Sequence, residues 1–331
     1  MGECIAVVIP CYKVRAKILA VLNRIGSEVS LIYVVDDACP ERSGKFVEEH
    51  FTDSRIKVIY NQANLGVGGA TLVGMKQASE DGADVILKLD GDGQMDPSFI
   101  PIFVGIIISG EADYTKGNRF FSLDVVKEMP ISRLIGNAGL SFLTKLSTGY
   151  WKNFDPTNGY IAIHANLLKI LPLEKISKRY FFESDLLFRL STVRAKVIDI
   201  PMRAYYGDES SGLKPHRELV VFSICHFRNF VKRIVYNYFV RDFSVASLQL
   251  ITGLVLLSFG IAYGFNNIHG GEVASAGTVM VAALPIMVGL QLLLAFLGFD
   301  IQATPTEAIH TKLKKNGLIC SSLANGNIEE K

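Results

Sequence analysis

The chain has 331 residues, a length that suggests about two domains. Lys and Arg number 34 against 32 Asp and Glu, giving a formal charge of +2, so the charge balance excludes a histone-like or polyacidic chain and gives no overall case for nucleic acid. Hydrophobic residues make up 49% and charged residues 20%, which excludes a disordered chain, and a mean hydropathy of +0.29 fits a soluble domain joined to a few membrane spans. Cys4, Cys11, Cys39, Cys225 and Cys320 are scattered without a CxxC pair, so neither a disulfide framework nor a zinc site is expected.

Taken in chain order, Cys4–Pro10, Leu31–Val35, Ile56–Asn61 and Val85–Leu89 are short β-branched runs that read as buried parallel strands. Between them, Val14–Val29, Arg42–Phe51 and Val67–Asp81 carry helical spacing. This alternation predicts a doubly wound α/β sheet, in which ligands bind beyond the carboxyl ends of the strands. Those ends carry Asp36-Asp37, then Asn64-Leu65-Gly66-Val67-Gly68-Gly69, then Asp90-Gly91-Asp92-Gly93-Gln94. Asp90 and Asp92, two positions apart on a glycine turn, offer hard oxygen ligands to Mg2+ or Mn2+. The glycines at 66, 68 and 69 follow the third strand, where a dinucleotide fingerprint does not belong. They allow close approach of a nucleotide or of a neighbouring loop.

Further along, Val220, Ile224, Phe227, Val231, Ile234 and Tyr238 recur at three- and four-residue steps and predict an amphipathic helix on a membrane surface. Residues 243–271 contain no Asp, Glu, Lys or Arg, and after Glu272 the same holds for residues 273–299. Each run exceeds the ~20 residues that cross a bilayer core, so two spans are expected. Arg228, Lys232, Arg233 and Arg241 precede the first span, Lys312, Lys314 and Lys315 follow the second, and the connector has no Lys or Arg. The positive-inside rule then places the soluble domain and the tail in the cytoplasm. Gly253, Gly260 and Gly264 would permit the spans to pack into a homo-oligomer. The expected division is a soluble domain over 1–213, a juxtamembrane helix over 214–242, a two-span hairpin over 243–300 and a tail over 301–331.

Val8-Ile9-Pro10-Cys11-Tyr12, Asp36-Asp37, Asn64-Leu65-Gly66, Leu89-Asp90-Gly91-Asp92-Gly93-Gln94 and Gly117-Asn118-Arg119-Phe120 occur in the order seen in family 2 glycosyltransferases. Asp155-Pro156-Thr157-Asn158-Gly159-Tyr160, Phe181-Phe182-Glu183-Ser184-Asp185 and Tyr206-Gly207-Asp208-Glu209-Ser210 resemble later motifs of the polyprenyl-phosphate branch, which includes dolichyl-phosphate mannosyltransferases. The resemblance implies a GT-A fold and inverting transfer of a sugar from a UDP- or GDP-linked donor to dolichyl or undecaprenyl phosphate, for glycan or cell-envelope modification. It implies that Pro10, Tyr12, Asp36, Asp37, Asn64, Gly68, Asp90 and Gly91 contact the nucleotide-sugar, and that Asp90, Asp92 and Gln94 hold Mg2+ or Mn2+. Met95 stands where the family often has His and receives no metal role.

The acceptor decides what else is needed. A phosphate monoester is mostly dianionic at neutral pH, so it calls for cations rather than a strong base. Arg119 and Arg133, with Lys214 third, are the candidate cations, because an Arg fork matches phosphate geometry. Asp155, Thr157 and Asn158 are candidates for a sugar pocket, and a turn or helix cap would look the same in sequence. Glu183 would then bind donor hydroxyls or order the acceptor loop. A hydroxyl acceptor would instead require a base, which Glu183 and Asp185 could supply. A non-catalytic nucleotide-sugar-binding membrane protein is the third reading.

Overall fold

The first strand, β1 (Ile5–Cys11), is buried along its whole length, and its alternate residues face two different layers. Ile5, Val7, Ile9 and Cys11 pack on one side of the sheet, and Ala6 and Val8 on the other. β2 (Leu31–Asp36), β3 (Ile56–Tyr60) and β4 (Val85–Lys88) lie parallel to it, in the order β3-β2-β1-β4. In this computed structural model, which describes residues 2–121, 131–202, 215–268 and 274–315, the sheet continues beyond β4 through three further strands. They are β5 (Tyr114–Asn118), β6 (Ile161–His164) and β7 (Val197–Pro201), arranged β4-β6-β5-β7. β6 runs antiparallel to both neighbours, whereas β5 and β7 are parallel.

Helices cover both faces. α1 (Ile18–Leu22), α2 (Ser43–His50) and α4 (Ile100–Ile108) contribute to one core layer. α3 (Val67–Glu80), the short α6 (Ala165–Leu168) and α7 (Phe182–Thr192) contribute to the other. α5 (Ile131–Thr148) precedes the turn that leads to β6. The helix expected over Val14–Val29 is only five residues long. Arg24 and Ile25 donate to Val21 and Leu22 in three-residue steps, so the last turn tightens and then breaks. Its apolar positions Ile18, Val21, Leu22 and Ile25 are nonetheless all buried.

The chain divides into two compact units, residues 1–226 with 305–331, and residues 227–304. The second contains α9 (Val245–Ile268) and α10 (Ala276–Gln302), both long and apolar enough to cross a membrane. Gly253, Gly260 and Gly289 form their seam. A Cβ at 289 would lie 2.8 Å from the Leu257 amide nitrogen, and one at 260 would lie 2.7 Å from the Ala282 carbonyl. Gly253 and Gly260 therefore serve packing inside the hairpin. At the end of α10, Asp300 accepts from both terminal nitrogens of Arg233 (2.6 and 3.0 Å) and from the Tyr238 hydroxyl (2.6 Å). This buried, satisfied cluster fixes where the end of α8 (Pro215–Val235) and the π-helical turn after it meet the hairpin.

In the first unit, the segment leading into α11 (His310–Lys315) docks at the start of β5 and β7. Buried Asp113 accepts from the Ile309 amide (2.9 Å), the His310 amide (2.8 Å) and His310 Nδ1 (2.7 Å), and also from the Lys196 amide (2.8 Å). Burial would raise its pKa, but these bonds outweigh burial and hold the carboxyl below its ordinary value.

Candidate functional site

The strand order reverses between β1 and β4, and at such a switch point the loops after neighbouring strands diverge and leave a crevice. A cavity of about 510 Å³ lies there. Pro10 and Tyr12 reach it from the end of β1, Asp37 from β2, Asn64, Gly66 and Val67 from the β3–α3 turn, and Asp90, Gly91 and Asp92 from β4. Arg179 and Tyr180, from the loop ahead of α7, complete the wall. Seven of the eight expected nucleotide-sugar residues thus fall within two neighbouring groups, with six of them plus Asp92 on this cavity and Asp36 just behind it. Gly68 belongs to neither, since a Cβ there would meet the Phe182 side chain at 2.5 Å. It serves the close packing of α3 on α7 instead.

Asp36 and Asp37 organise backbone. Asp36 accepts from the amides of Cys39 and Gly44, each at 2.7 Å, and so holds the start of α2. Asp37 accepts from Asn61 Nδ2 (2.8 Å) and from the amides of Leu65 (2.9 Å) and Gly66 (2.8 Å), which fixes the turn that enters α3.

Asp90 and Asp92 sit on the turn after β4. Asp92 accepts from the Gln94 amide at 2.9 Å, and the buried Met95 sulfur accepts from the Asp90 amide at 3.3 Å. Met95 thus supports the turn from below. Gln94 is half-buried and outside the cavity wall. Among the described residues no three His, Cys, Asp or Glu side chains gather into a self-sufficient metal site. Two exposed-edge carboxylates do suit Mg2+ or Mn2+ of the kind that takes its remaining ligands from substrate phosphate and water.

Beneath Asp90 lies a residue that the sequence reading passed over. Lys88, 1% exposed, places its ammonium 2.7 Å from Asp90 Oδ1, 3.7 Å from Glu183 Oε1 and 3.2 Å from the Gly159 carbonyl. Burial alone would drive this amine toward neutrality. The charges of Asp90 and Glu183 outweigh that and hold its pKa above the ordinary lysine value. Burial likewise lifts the Glu183 carboxyl, against the pull of Lys88. A lysine inside the apolar run before Asp90 was the available signal. Asp185, 1% exposed, accepts from the Ser177 amide at 2.9 Å.

The candidate acceptor residues divide. Arg119 is committed to Asp155, with Nε at 2.8 Å and Nη2 at 2.7 Å from its two oxygens. Burial raises the Asp155 pKa, but the Arg119 bonds and charge prevail and hold it below the ordinary value. Asn158 is buried in the same turn, with Nδ2 3.3 Å from Asp155 and Oδ1 accepting from the Tyr160 amide at 3.0 Å. Thr157 is half-buried between them. Arg133 lies in the first turn of α5, and its side chain is outside the described residues, as are Lys214 and the segment 206–210.

A family model for glycosyl transferase family 2 matches residues 6–171. The chain is 30% identical over 222 residues to a UDP-N-acetylglucosamine–dolichyl-phosphate N-acetylglucosaminyltransferase of Methanococcus voltae, covering 63% of this chain and 88% of that one. It is 28% identical over 199 residues to an undecaprenyl-phosphate mannosyltransferase of Micrococcus luteus, covering 59% and 81%. Among solved structures it is similar to glucosyl-3-phosphoglycerate synthase from Mycobacterium tuberculosis in complex with Mn2+, UDP and glucosyl-3-phosphoglycerate, with TM-score 0.52, 18% identity, and coverage of 70% and 80%. The soluble unit has the GT-A fold, and the chain belongs to glycosyltransferase family 2. It is a glycosyltransferase enzyme.

Proposed function

We propose that the enzyme transfers a sugar, with inversion, from a nucleoside-diphospho-sugar to the phosphate of a polyprenyl phosphate. The observation that carries this reading is the state of the two carboxylates a hydroxyl acceptor would need. Glu183 is held beside the Lys88 ammonium, and Asp185 is buried against a backbone amide. Neither carboxylate is on the cavity wall, and a dianionic phosphate acceptor does not ask for a base there. The relatives from Methanococcus voltae and Micrococcus luteus, named for dolichyl- and undecaprenyl-phosphate substrates, support the same acceptor class.

Asp90 and Asp92 would hold Mg2+ or Mn2+ against the donor diphosphate, and the ion would supply charge neutralisation to the leaving group. Asp37 and Asn64 shape the nucleotide end of the cavity, and Lys88 keeps Asp90 turned toward it. The exposed apolar side chains Val220, Ile224, Phe227 and Val231 on α8 support a membrane-surface helix over 214–242, ahead of a spanning hairpin over 243–300. The basic flanks support a cytoplasmic soluble domain (1–213) and tail (301–331).

The test is the full chain in lipid, offered undecaprenyl or dolichyl phosphate with UDP- and GDP-sugars, with and without EDTA, and read by mass spectrometry of the lipid. A metal-dependent lipid-phosphate-sugar is expected, lost by roughly a hundredfold or more in Asp92→Asn. Full turnover in EDTA, or transfer only to a hydroxyl that Glu183→Gln abolishes, would overturn the reading.

A further inference from the structure

The cavity wall carries three carboxylates, Asp37, Asp90 and Asp92, and among the described residues lining it Arg179 is the one basic side chain. Arg179 is exposed, and among the described residues its guanidinium has no hydrogen-bond or ion-pair partner, whereas Arg119 is spent on Asp155. A diphosphate entering so acidic a cavity requires positive charge on more than one side. A divalent ion on Asp90 and Asp92 serves the β4 side only, and Arg179 comes from a different element.

Its placement is built into the fold. The Lys178 carbonyl accepts from the Gly69 amide at 2.9 Å, which seats the loop across the start of α3. The seat requires glycine at 66: a Cβ there would lie 2.8 Å from the Lys178 oxygen and 3.1 Å from Arg179 Cγ. Gly66 also has φ +85° and ψ 166°, a region closed to other residues. On the far side of the loop, the Arg179 carbonyl accepts from the Phe182 amide (2.9 Å), and the Ser177 amide donates to Asp185 (2.9 Å). The loop is therefore pinned at both ends, and Arg179 with Tyr180 is left at the cavity mouth.

We infer that Arg179 is a phosphate-binding residue of this cavity, gripping a phosphate ester with its guanidinium fork. The inference rests on the nucleotide-sugar reading above. Two phosphates could meet it, the donor diphosphate and the acceptor's monoester, and the experiment separates them. Full-length protein, Arg179→Gln and Arg179→Lys are titrated by calorimetry with UDP and with GDP, each with Mn2+, and their KM values for donor and for polyprenyl phosphate are measured in lipid. Loss of charge-assisted bonds should weaken nucleoside-diphosphate binding by roughly tenfold or more in Arg179→Gln, with partial recovery in Arg179→Lys and an unchanged melting temperature. A roughly tenfold rise confined to the KM for polyprenyl phosphate would assign the grip to the acceptor. Unchanged binding and unchanged KM for both substrates would overturn the inference. Wild-type protein that binds neither UDP nor GDP would overturn the nucleotide-sugar reading itself, a result distinct from the previous one.

Discussion

Replacing Lys88 by Met tests whether the buried ammonium holds the site together. Lys88 is 1% exposed and faces Asp90 at 2.7 Å and Glu183 at 3.7 Å, with 29% and 11% of those side chains exposed. Removing one partner of a buried ion pair costs about 3–5 kcal/mol, because the remaining charge stays desolvated. Asp90 can turn to water and Glu183 cannot, so the lower end, about 3 kcal/mol, applies to Lys88→Met. Glu183→Gln should cost less, about 1 kcal/mol, since the ammonium keeps Asp90 and the Gly159 carbonyl. In the double variant no buried carboxylate is stranded at 183, so the two costs should fall short of adding by about 1–2 kcal/mol. Trp151, the only tryptophan, lies in the soluble unit and reports its unfolding by fluorescence in urea. Additivity within about 0.5 kcal/mol would refute the argument that Lys88 and Glu183 stabilise each other.

Three further outcomes are expected. His226 is enclosed by Ser147, Thr144 and Phe181, and burial pushes its pKa down to about 4 from 6.5. The unfolded chain therefore binds the extra proton first, so stability should fall by about 2 kcal/mol between pH 7 and 5 in wild type. His226→Gln should remove that part of the pH slope in urea unfolding, and an identical slope in both proteins would contradict the assignment. Asp113→Ala removes four accepted bonds at the tail's docking point, so protease cleavage between 305 and 315 should accelerate while the sheet remains folded. Equal cleavage rates would mean the tail is held by other contacts. Gly289→Leu should weaken the hairpin by about 2 kcal/mol or more, because its side chain would meet the Leu257 and Gly253 backbone, whereas Gly298→Leu enters open space. Comparable losses of thermal stability in detergent for the two variants would argue against the glycine seam.

Much of this protein follows from local pattern. β1 to β4 are short β-branched runs, and each appears within about a residue of its expected bounds. β1 and β2 are buried on both faces and so nearly continuously apolar, whereas β3, expected to be buried, is the edge strand and is half-exposed, which admits Lys57. The carboxylates after β2 and β4 were legible because ligands in such sheets sit at strand ends. β5 was not legible, because Lys116 and Gly117 interrupt any apolar run. Lys116 is tolerated there because Asp199, from a strand far along the chain, meets its ammonium at 3.2 Å and the carbonyls of Phe154 and Gly117 also accept from it. β6, four residues long, gave too short a signal.

The two charge-free runs by themselves determined the two long apolar helices, and the order of motifs determined the glycosyltransferase family, since both reside in chain-local patterns. Which further residues join the site, and which of the expected ones are already committed to a partner, was decided by tertiary structure. Arg119 looked free in the sequence and is locked to Asp155, 36 positions away. Lys88, on β4, and Glu183, on α7, are remote in the chain and meet at 3.7 Å. Arg179 reaches the cavity because a glycine at 66 lets a distant loop seat against α3. The physical reason is the same in each case: a charge's partner is chosen by distance in space, and spacing along a chain carries that distance only within a single helix, strand or turn.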